Sequence, residues 1–350
     1  MIVALALLGY AALLLTAGAA GLARARWADR APRLAVAAWL GLAGSAVTSV
    51  ILGGLALVVP TVRVSADLSV LLTACVMALR ATYAHPGGAA LAGAGAVLGL
   101  AVIARVTWCT AGTLARAGLA RRRHRRALAL AGRRDERYGV VLLDHDEAAA
   151  WCLPGAGQQV VLTTAAVEAL DEAQMAAVLA HERAHQRGHH HLLVSLAGSL
   201  AVAFPRVRAF RQGHEQVARL VELLADDAAA AVSPRLKVAE ALLALAAPAP
   251  AAAALGAGGS AAGARVRRLI AAPAPIGRAR AVAGMLAVAA LAALPLVVLA
   301  GPAAAVSGRD YCPQILAAAA PPGSCGTGSA CGPAAHDGLS AYPCQALQDH

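Results

Sequence analysis

The stretch HERAHQRGHHH, His181 to His191, places imidazoles and a carboxylate at spacings that suit a metal ion. His181 and His185 are four apart, so on a helix both rings turn toward one point. Imidazole nitrogens at about 2.0–2.1 Å are donors that zinc takes. Glu182, beside the first histidine, is placed to take a proton from a water attacking a peptide carbonyl and to pass it to the leaving amine. The chemistry is metal-assisted peptide hydrolysis, with one zinc ion per chain. A catalytic zinc needs a third protein ligand and an open position.

Two places in the chain offer that ligand. His191 completes the longer pattern HExxHxxGxxH, with Gly188 as the turn. That pattern resembles a metzincin, which also needs a methionine turn beneath the site. The methionines are Met1, Met77, Met175 and Met285; only Met285 lies downstream, inside an apolar run. The other place is ELLADD, Glu222 to Asp227. Glu222 and Asp226 share a helical face. Glu222 offers a carboxylate oxygen, and Asp226 can accept the second ring N–H of a metal-bound histidine. Glu215, one heptad earlier, is a fallback ligand, and Asp227 reads as a surface charge.

The elements that must position these groups follow from local signals. Asp171 with Gln174 three residues on forms a capping box, which starts a helix that carries HERAH. Gly188 is a natural stop. YGVVLLDH (Tyr138 to His145) and QQVVLTTA (Gln158 to Ala165) read as buried strands, the second preceded by the turn PGAG. Gln212 to Val232 reads as the helix bearing Glu222, and Leu236 to Ala246 as another. Ala247 to Gly263 reads as a flexible loop, with helix resuming at Ala264 to Ile270. His189 and His190 read as solvated loop residues; His124, His145 and His214 as structural or surface residues.

The rest of the chain is strongly apolar. Of its 350 residues 59% are hydrophobic, yet only 3% are aromatic. Four runs reach the ~20 residues a bilayer requires: Ile2 to about Leu22, Leu34 to Pro60, about Gly88 to Cys109, and Ala281 to Val306. Leu192 to Pro205 is too short and reads as a buried or interfacial helix. The formal charge of +11 comes almost wholly from arginine, Lys237 being the only lysine. Arginines crowd the chain after the first and third runs, including RRRHRR at Arg121 to Arg126. By the positive-inside rule these flanks are cytoplasmic, which puts the N-terminus and the C-terminal tail outside. No aromatic residues interleave with the arginines, so nucleic acid is not an expected partner. Cys312, Cys325, Cys331 and Cys344 form an even set in the tail, which suits disulfides in an oxidising compartment. Cys75, Cys109 and Cys152 read as unpaired.

The fold class is thus a multi-pass α-helical membrane protein with a mainly helical, small-sheet zincin-type peptidase domain on the cytoplasmic side. Residues 1–111 hold three spans, 112–280 the zinc peptidase domain, 281–306 the fourth span and 307–350 an extracellular tail. The partners are the lipid bilayer and a protein or peptide substrate.

HERAH followed by Glu222 and Asp226 in ELLADD resembles the gluzincin membrane peptidases. Two groups fit: the HtpX/CAAX-protease type and the BlaR/MecR sensor-transducer type, metallopeptidase family fifty-six. The four-span layout is similar to the latter. The resemblance implies zinc on His181, His185 and Glu222, Glu182 as general base, and Asp226 behind a ligand. It also implies an edge strand at Val160, Val161, Leu162 and Thr163 that holds substrate backbone. The tail has no SxxK acyl-serine motif, so direct beta-lactam binding is not expected. A competing class is a metal-binding receptor that signals without cleavage.

Overall fold

The structure is a computed structural model describing residues 2–58, 87–154, 159–246 and 257–306. Its first three long helices are α1 (Ile2–Ala23), α2 (Pro32–Val58) and α3 (Gly88–Ala131), each with a stretch long and apolar enough to cross a membrane. A π-helical turn, Leu14–Gly18, interrupts α1. A 3₁₀ turn, Arg26–Asp29, leads to Pro32, whose fixed φ suits the first position of α2. Small residues bring α2 and α3 together: a Cβ added to Gly54 would lie 2.6 Å from the Gly95 carbonyl oxygen.

At 44 residues, α3 is about 66 Å long, more than twice a bilayer's ~30 Å core. The basic segment after the third apolar run is therefore the helix's own extension, consistent with its alanines, leucines and arginines being good helix formers. Gly132 allows the helix to turn directly into a strand. A Cβ there would meet Val141 Cγ1 at 2.5 Å and the Leu128 carbonyl oxygen at 2.6 Å.

Four strands follow: β1 (Gly132–Asp135), β2 (Val140–Leu143), β3 (Ala150–Leu153) and β4 (Gln159–Thr163). Their order is β1-β2-β4-β3, with β2 and β4 parallel and the other pairs antiparallel. Next come α4 (Thr164–Ala169), α5 (Glu172–Arg187), α6 (His190–Ala203), α7 (Arg208–Ala229), α8 (Arg235–Ala246) and α9 (Ala257–Ala271). Helix α10 (Arg278–Val306) contains the fourth apolar stretch. One face of the sheet buries Val140, Val160 and Leu162 against Met175, Val178 and Leu179 of α5 and Ala241 of α8. The other buries Val141, Leu153 and Val161 against Leu128 of α3.

This order corrects the expected edge strand. β4 is paired on both sides, and Val160, Val161, Leu162 and Thr163 are all buried, so none can accept an added strand. The open edge beside α5 belongs to β3, whose four residues AWCL lack the length and alternation that would mark a strand.

The amphipathic helix α7 joins the helix-and-sheet segment to the long apolar helices. Its Val217, Leu220, Val221 and Leu223 share one core with Val36, Trp39 and Leu42 of α2 and Ala11 and Leu14 of α1. The Trp39 ring lies over Gly213, where a Cβ would be 3.3 Å from it. Tyr10 of α1 and Ser45 of α2 both donate to the Leu291 carbonyl of α10, at 3.0 and 2.8 Å. The short apolar helix α6 packs along α3: Thr110 bonds Ser199 at 3.0 Å, and Arg105 Nε donates to the Ala203 carbonyl. Arg105 thus satisfies a terminal carbonyl of α6.

The expected loop at Ala247 to Gly263 is already helical from Ala257. Cys109 and Cys152 are free thiols, as expected. Cys75 and the tail cysteines Cys312, Cys325, Cys331 and Cys344 lie outside the described residues.

Candidate metal centre

Helix α5 starts with the capping box read from the sequence: Gln174 N–H donates to Asp171 Oδ1 at 2.8 Å, and Asp171 N–H to Gln174 Oε1 at 2.9 Å. One face of α5 then carries His181 and His185. Glu222 arrives from α7, packed across α5. These three are the candidate metal group, their ligand atoms all within 4.8 Å of one another. The two Nε2 atoms are 3.2 Å apart. His181 Nε2 is 3.6 Å from Glu222 Oε2, and His185 Nε2 is 3.5 Å from Glu222 Oε1. Donors on a tetrahedral zinc at about 2.05 Å are separated by about 3.3 Å. The observed triangle matches that spacing, and its two-nitrogen, one-oxygen donor set suits zinc. His191 is not in the group; it lines a cleft beside it.

The far sides of both rings are held. His181 Nδ1 lies 3.2 Å from Asp226 Oδ1, where Asp226 is fully buried. His185 Nδ1 lies 2.9 Å from His190 Nδ1. His190 was read as a solvated loop residue; instead it is 6% exposed. The reason lies in the preceding turn. His189 takes φ +50°, which folds the chain back so that His190 meets His185. Gly188 ends α5 in a right-handed conformation, and its role is spatial: a Cβ would lie 2.3 Å from His190 Nε2.

Arg265 of α9 was not read from the sequence as a site residue. Its Nε and Nη2 donate to Asp226 at 2.8 and 2.6 Å, and its Nη1 lies 3.0 Å from Glu222 Oε2. One guanidinium therefore braces both the carboxylate ligand and the acceptor behind His181. Arg268, one turn on, forms a two-bond pair with Asp227 and donates to the Asp29 carbonyl at 2.9 Å. Asp227, read as a surface charge, thus ties α7 to α9. The only sequence signal for these arginines is the spacing of Arg265 and Arg268 along one helical face.

The electrostatics follow from this packing. Burial opposes charge on His181, but Asp226 and Glu222 outweigh it and raise its pKa to about 9 when no metal is bound. Burial lowers the pKa of His185, and the neighbouring His181 and His190 add to that. Burial also raises Glu182, with Glu222 adding to the rise, while His181 and the Cys152 thiol and N–H favour its charged form. Cys152 is pushed up to about 12, first by burial and then by Glu182.

Glu222 stands between two cavities. The larger, about 730 Å³, is walled by Ala117, Arg121 and His124 of α3, by Trp151 to Pro154 along β3, and by residues of α6 and α7. The smaller, about 230 Å³, lies past Ala150 and is lined by Glu182, Val178, Val238, Leu242 and Arg265. The β3 edge runs alongside both. Thr163 N–H bonds the Ala149 carbonyl at 3.0 Å. By antiparallel alternation Trp151 and Leu153 also bond β4, so Ala150 and Cys152 turn their main-chain groups to the open edge.

A family model described as Peptidase family M48 matches residues 115–281. This is a zinc metallopeptidase family, and the matched segment, which holds His181, Glu182, His185 and Glu222, is similar to it, in agreement with a peptide hydrolase. The match names M48 and not family fifty-six. No curated protein and no solved structure matches the chain.

Proposed function

We propose that the chain is an integral-membrane zinc endopeptidase that cuts an extended peptide laid along β3. The observation that carries this reading is the convergence of His181, His185 and Glu222 at zinc-like spacing, beside an open strand edge and between two cavities. Zinc bound there would polarise the scissile carbonyl and acidify water. The main-chain groups of Ala150 and the carbonyl of Cys152 offer hydrogen bonds to the substrate backbone and orient the scissile bond, while the Cys152 N–H serves Glu182. Glu182, its pKa raised by burial, takes the proton from the attacking water and returns it to the leaving amine. Asp226 and His190 fix the two imidazole rings, and Arg265 holds Glu222 and Asp226 in place.

In the proposed layout, 1–111 and 281–306 hold the spans, 112–280 the cytoplasmic peptidase domain, and 307–350 an outer tail. The four apolar helices and the arginines after the first and third support it. The larger cavity begins at Ala117, about two turns beyond the apolar part of α3, so the substrate is a cytoplasmic or membrane-proximal segment. A regulatory repressor, as in the BlaR/MecR type, is the substrate that the four-span layout favours.

The test uses the full-length protein in detergent micelles with unstructured protein substrates. Glu182→Gln should keep stoichiometric zinc and lose cleavage by about 10²–10⁴-fold. Retained cleavage would exclude Glu182 as the base, and equal biological output from both proteins would favour a silent receptor. Glu222→Ala should lose zinc while His191→Ala retains it; the reverse would restore His191 as the third ligand.

A further inference from the structure

The larger cavity carries a feature that peptide hydrolysis does not require. Its outer wall is the extension of α3, in which Arg116, Arg121, Arg122, Arg123, Arg125 and Arg126 fall within three turns. Of these, Arg121 lines the cavity, with His124 one turn on and His191 opposite on α6. Among the described residues Arg121 makes no ion pair. His191 Nδ1 is buried with no hydrogen-bond partner, and the positive charge of Arg121 acts on its ring. Apart from Glu222, which belongs to the metal group, no carboxylate lines this cavity. The remaining surface is apolar or neutral: Trp151, Leu153, Pro154, Val194 and Ser195.

A peptide lying on β3 must pass through this space. Leu153 and Pro154 line the cavity, whereas Ala150 lines the smaller one beyond Glu222. The two flanks of the scissile bond therefore meet different surroundings. One flank enters an apolar pocket of Val178, Val238 and Leu242 closed by Arg265. The other enters the space under Arg121, His124 and His191.

We infer that Arg121, with His124 and His191, forms a subsite for an acidic side chain of the substrate, on the flank that lies over Leu153 and Pro154. This rests on the peptidase reading above and narrows its substrate class to peptides with Asp or Glu near the scissile bond. A guanidinium lining a partly closed cleft attracts a carboxylate and repels a lysine, so it selects by charge as well as by fit. His191 Nδ1 supplies a polar partner that the fold itself leaves unused.

The alternative occupant is an anionic lipid headgroup, since the same arginines lie close to the membrane. The position of Arg121 inside the cleft favours the peptide. Arg122 and Arg123 are exposed and free to meet lipid.

The experiment separates subsite from catalysis by using full-length, zinc-loaded Glu182→Gln protein in zwitterionic detergent. Fluorescence anisotropy measures binding of peptides that differ by one Glu, Gln or Lys, scanned along both flanks. The subsite predicts that Glu binds about three- to tenfold tighter than Gln at positions on one flank only, with Lys weakest. The Glu-to-Gln ratio should fall toward one when Arg121→Gln is added, and Arg121→Glu should favour Lys. Zinc content of each variant reports whether the fold survives. Equal binding of the Glu and Gln peptides at every position overturns the proposal, as does a preference that survives Arg121→Gln. So does an outcome in which Arg121→Gln changes only binding to anionic vesicles and leaves peptide selection as it was. Loss of cleavage by the wild-type protein would count against the peptidase reading and leave this binding result intact.

Discussion

Asp226→Asn isolates the support behind the candidate metal ligands. The side chain is fully buried and serves three donors: His181 Nδ1 at 3.2 Å and two guanidinium nitrogens of Arg265 at 2.6 and 2.8 Å. Asparagine keeps the shape but has one acceptor oxygen and no charge. If that oxygen takes the place of Oδ1, it still accepts from His181 and Arg265 Nη2, but its NH₂ confronts Arg265 Nε, donor to donor. Arg265 must then lean on Glu222, which it already approaches at 3.0 Å, and compete with zinc for that carboxylate. If the oxygen takes the place of Oδ2, the NH₂ confronts both His181 Nδ1 and Arg265 Nη2, and the ring loses its orienting acceptor. Loss of an outer partner costs about 10–100-fold in metal affinity. Either orientation sets a donor against Arg265 and also disturbs one ligand, which places this variant near 100-fold, about 2.7 kcal/mol. Competition with a chromophoric chelator, on full-length protein in micelles, measures it. Adding Arg265→Met removes the unopposed guanidinium, so the double variant should bind zinc tighter than the sum of the two single losses predicts. An Asp226→Asn affinity within threefold of wild type, or strictly additive losses, would refute this account of the bracing.

Zinc must displace the proton that His181 holds in the metal-free protein. With the His181 pKa raised to about 9, apparent zinc affinity should climb as pH rises from 6.5 to 8.5, by about tenfold per unit for one displaced proton. A flat profile in chelator titrations would contradict it. In the metal-free protein the same raised pKa stabilises the fold below the ordinary histidine value of 6.5. That stability should fade as pH rises through about 9, seen as a falling thermal midpoint that zinc restores. Gly188→Ala drives a methyl into the His190 ring, which should destabilise by about 1–3 kcal/mol and weaken zinc binding. Unchanged melting and metal content would mean that His190 moves aside freely. Cys152, pushed up to about 12, should resist iodoacetamide at pH 8, where about one thiol in ten thousand is ionised. Peptide mass mapping checks this, and rapid labelling would show that the thiol is not buried against Glu182.

The parts of the site that could be read in advance are those encoded within one helix. HERAH and ELLADD each place two groups a turn apart, so residue type and helical period suffice. The capping box at Asp171 and Gln174 is local in the same way. Arg265 and His190 could not be read because each depends on a path through space. Arg265 reaches Asp226 only because α9 returns across α7, and His190 reaches His185 only because His189 adopts a left-handed turn. The open edge of the sheet was misplaced onto Val160 to Thr163 for a related reason. A continuous β-branched run marks a strand, but a strand buried on both faces carries that signal best. The edge β3 shows it least.

The shared core explains why a site this small is joined to the long apolar helices at all. Glu222 must hold its oxygens within about 3.6 Å of two ring nitrogens on another helix. On α7, a shift of one residue turns a side chain by about 100° and moves it 1.5 Å along the axis, enough to remove it from the site. The register is set by Val217, Leu220, Val221 and Leu223, which bury the opposite side of α7 among Val36, Trp39 and Leu42 of α2. It is also set by Gly213, where the Trp39 ring takes the place of a side chain. Asp29, in the turn between α1 and α2, adds a polar stop: Arg219 of α7 binds its carboxylate at 2.7 Å, and Arg268 of α9 binds its carbonyl. The third ligand is thus aligned by residues from the first two apolar helices, while α5 supplies the other two ligands from the sheet side. The metal triangle closes only where these two packing units meet.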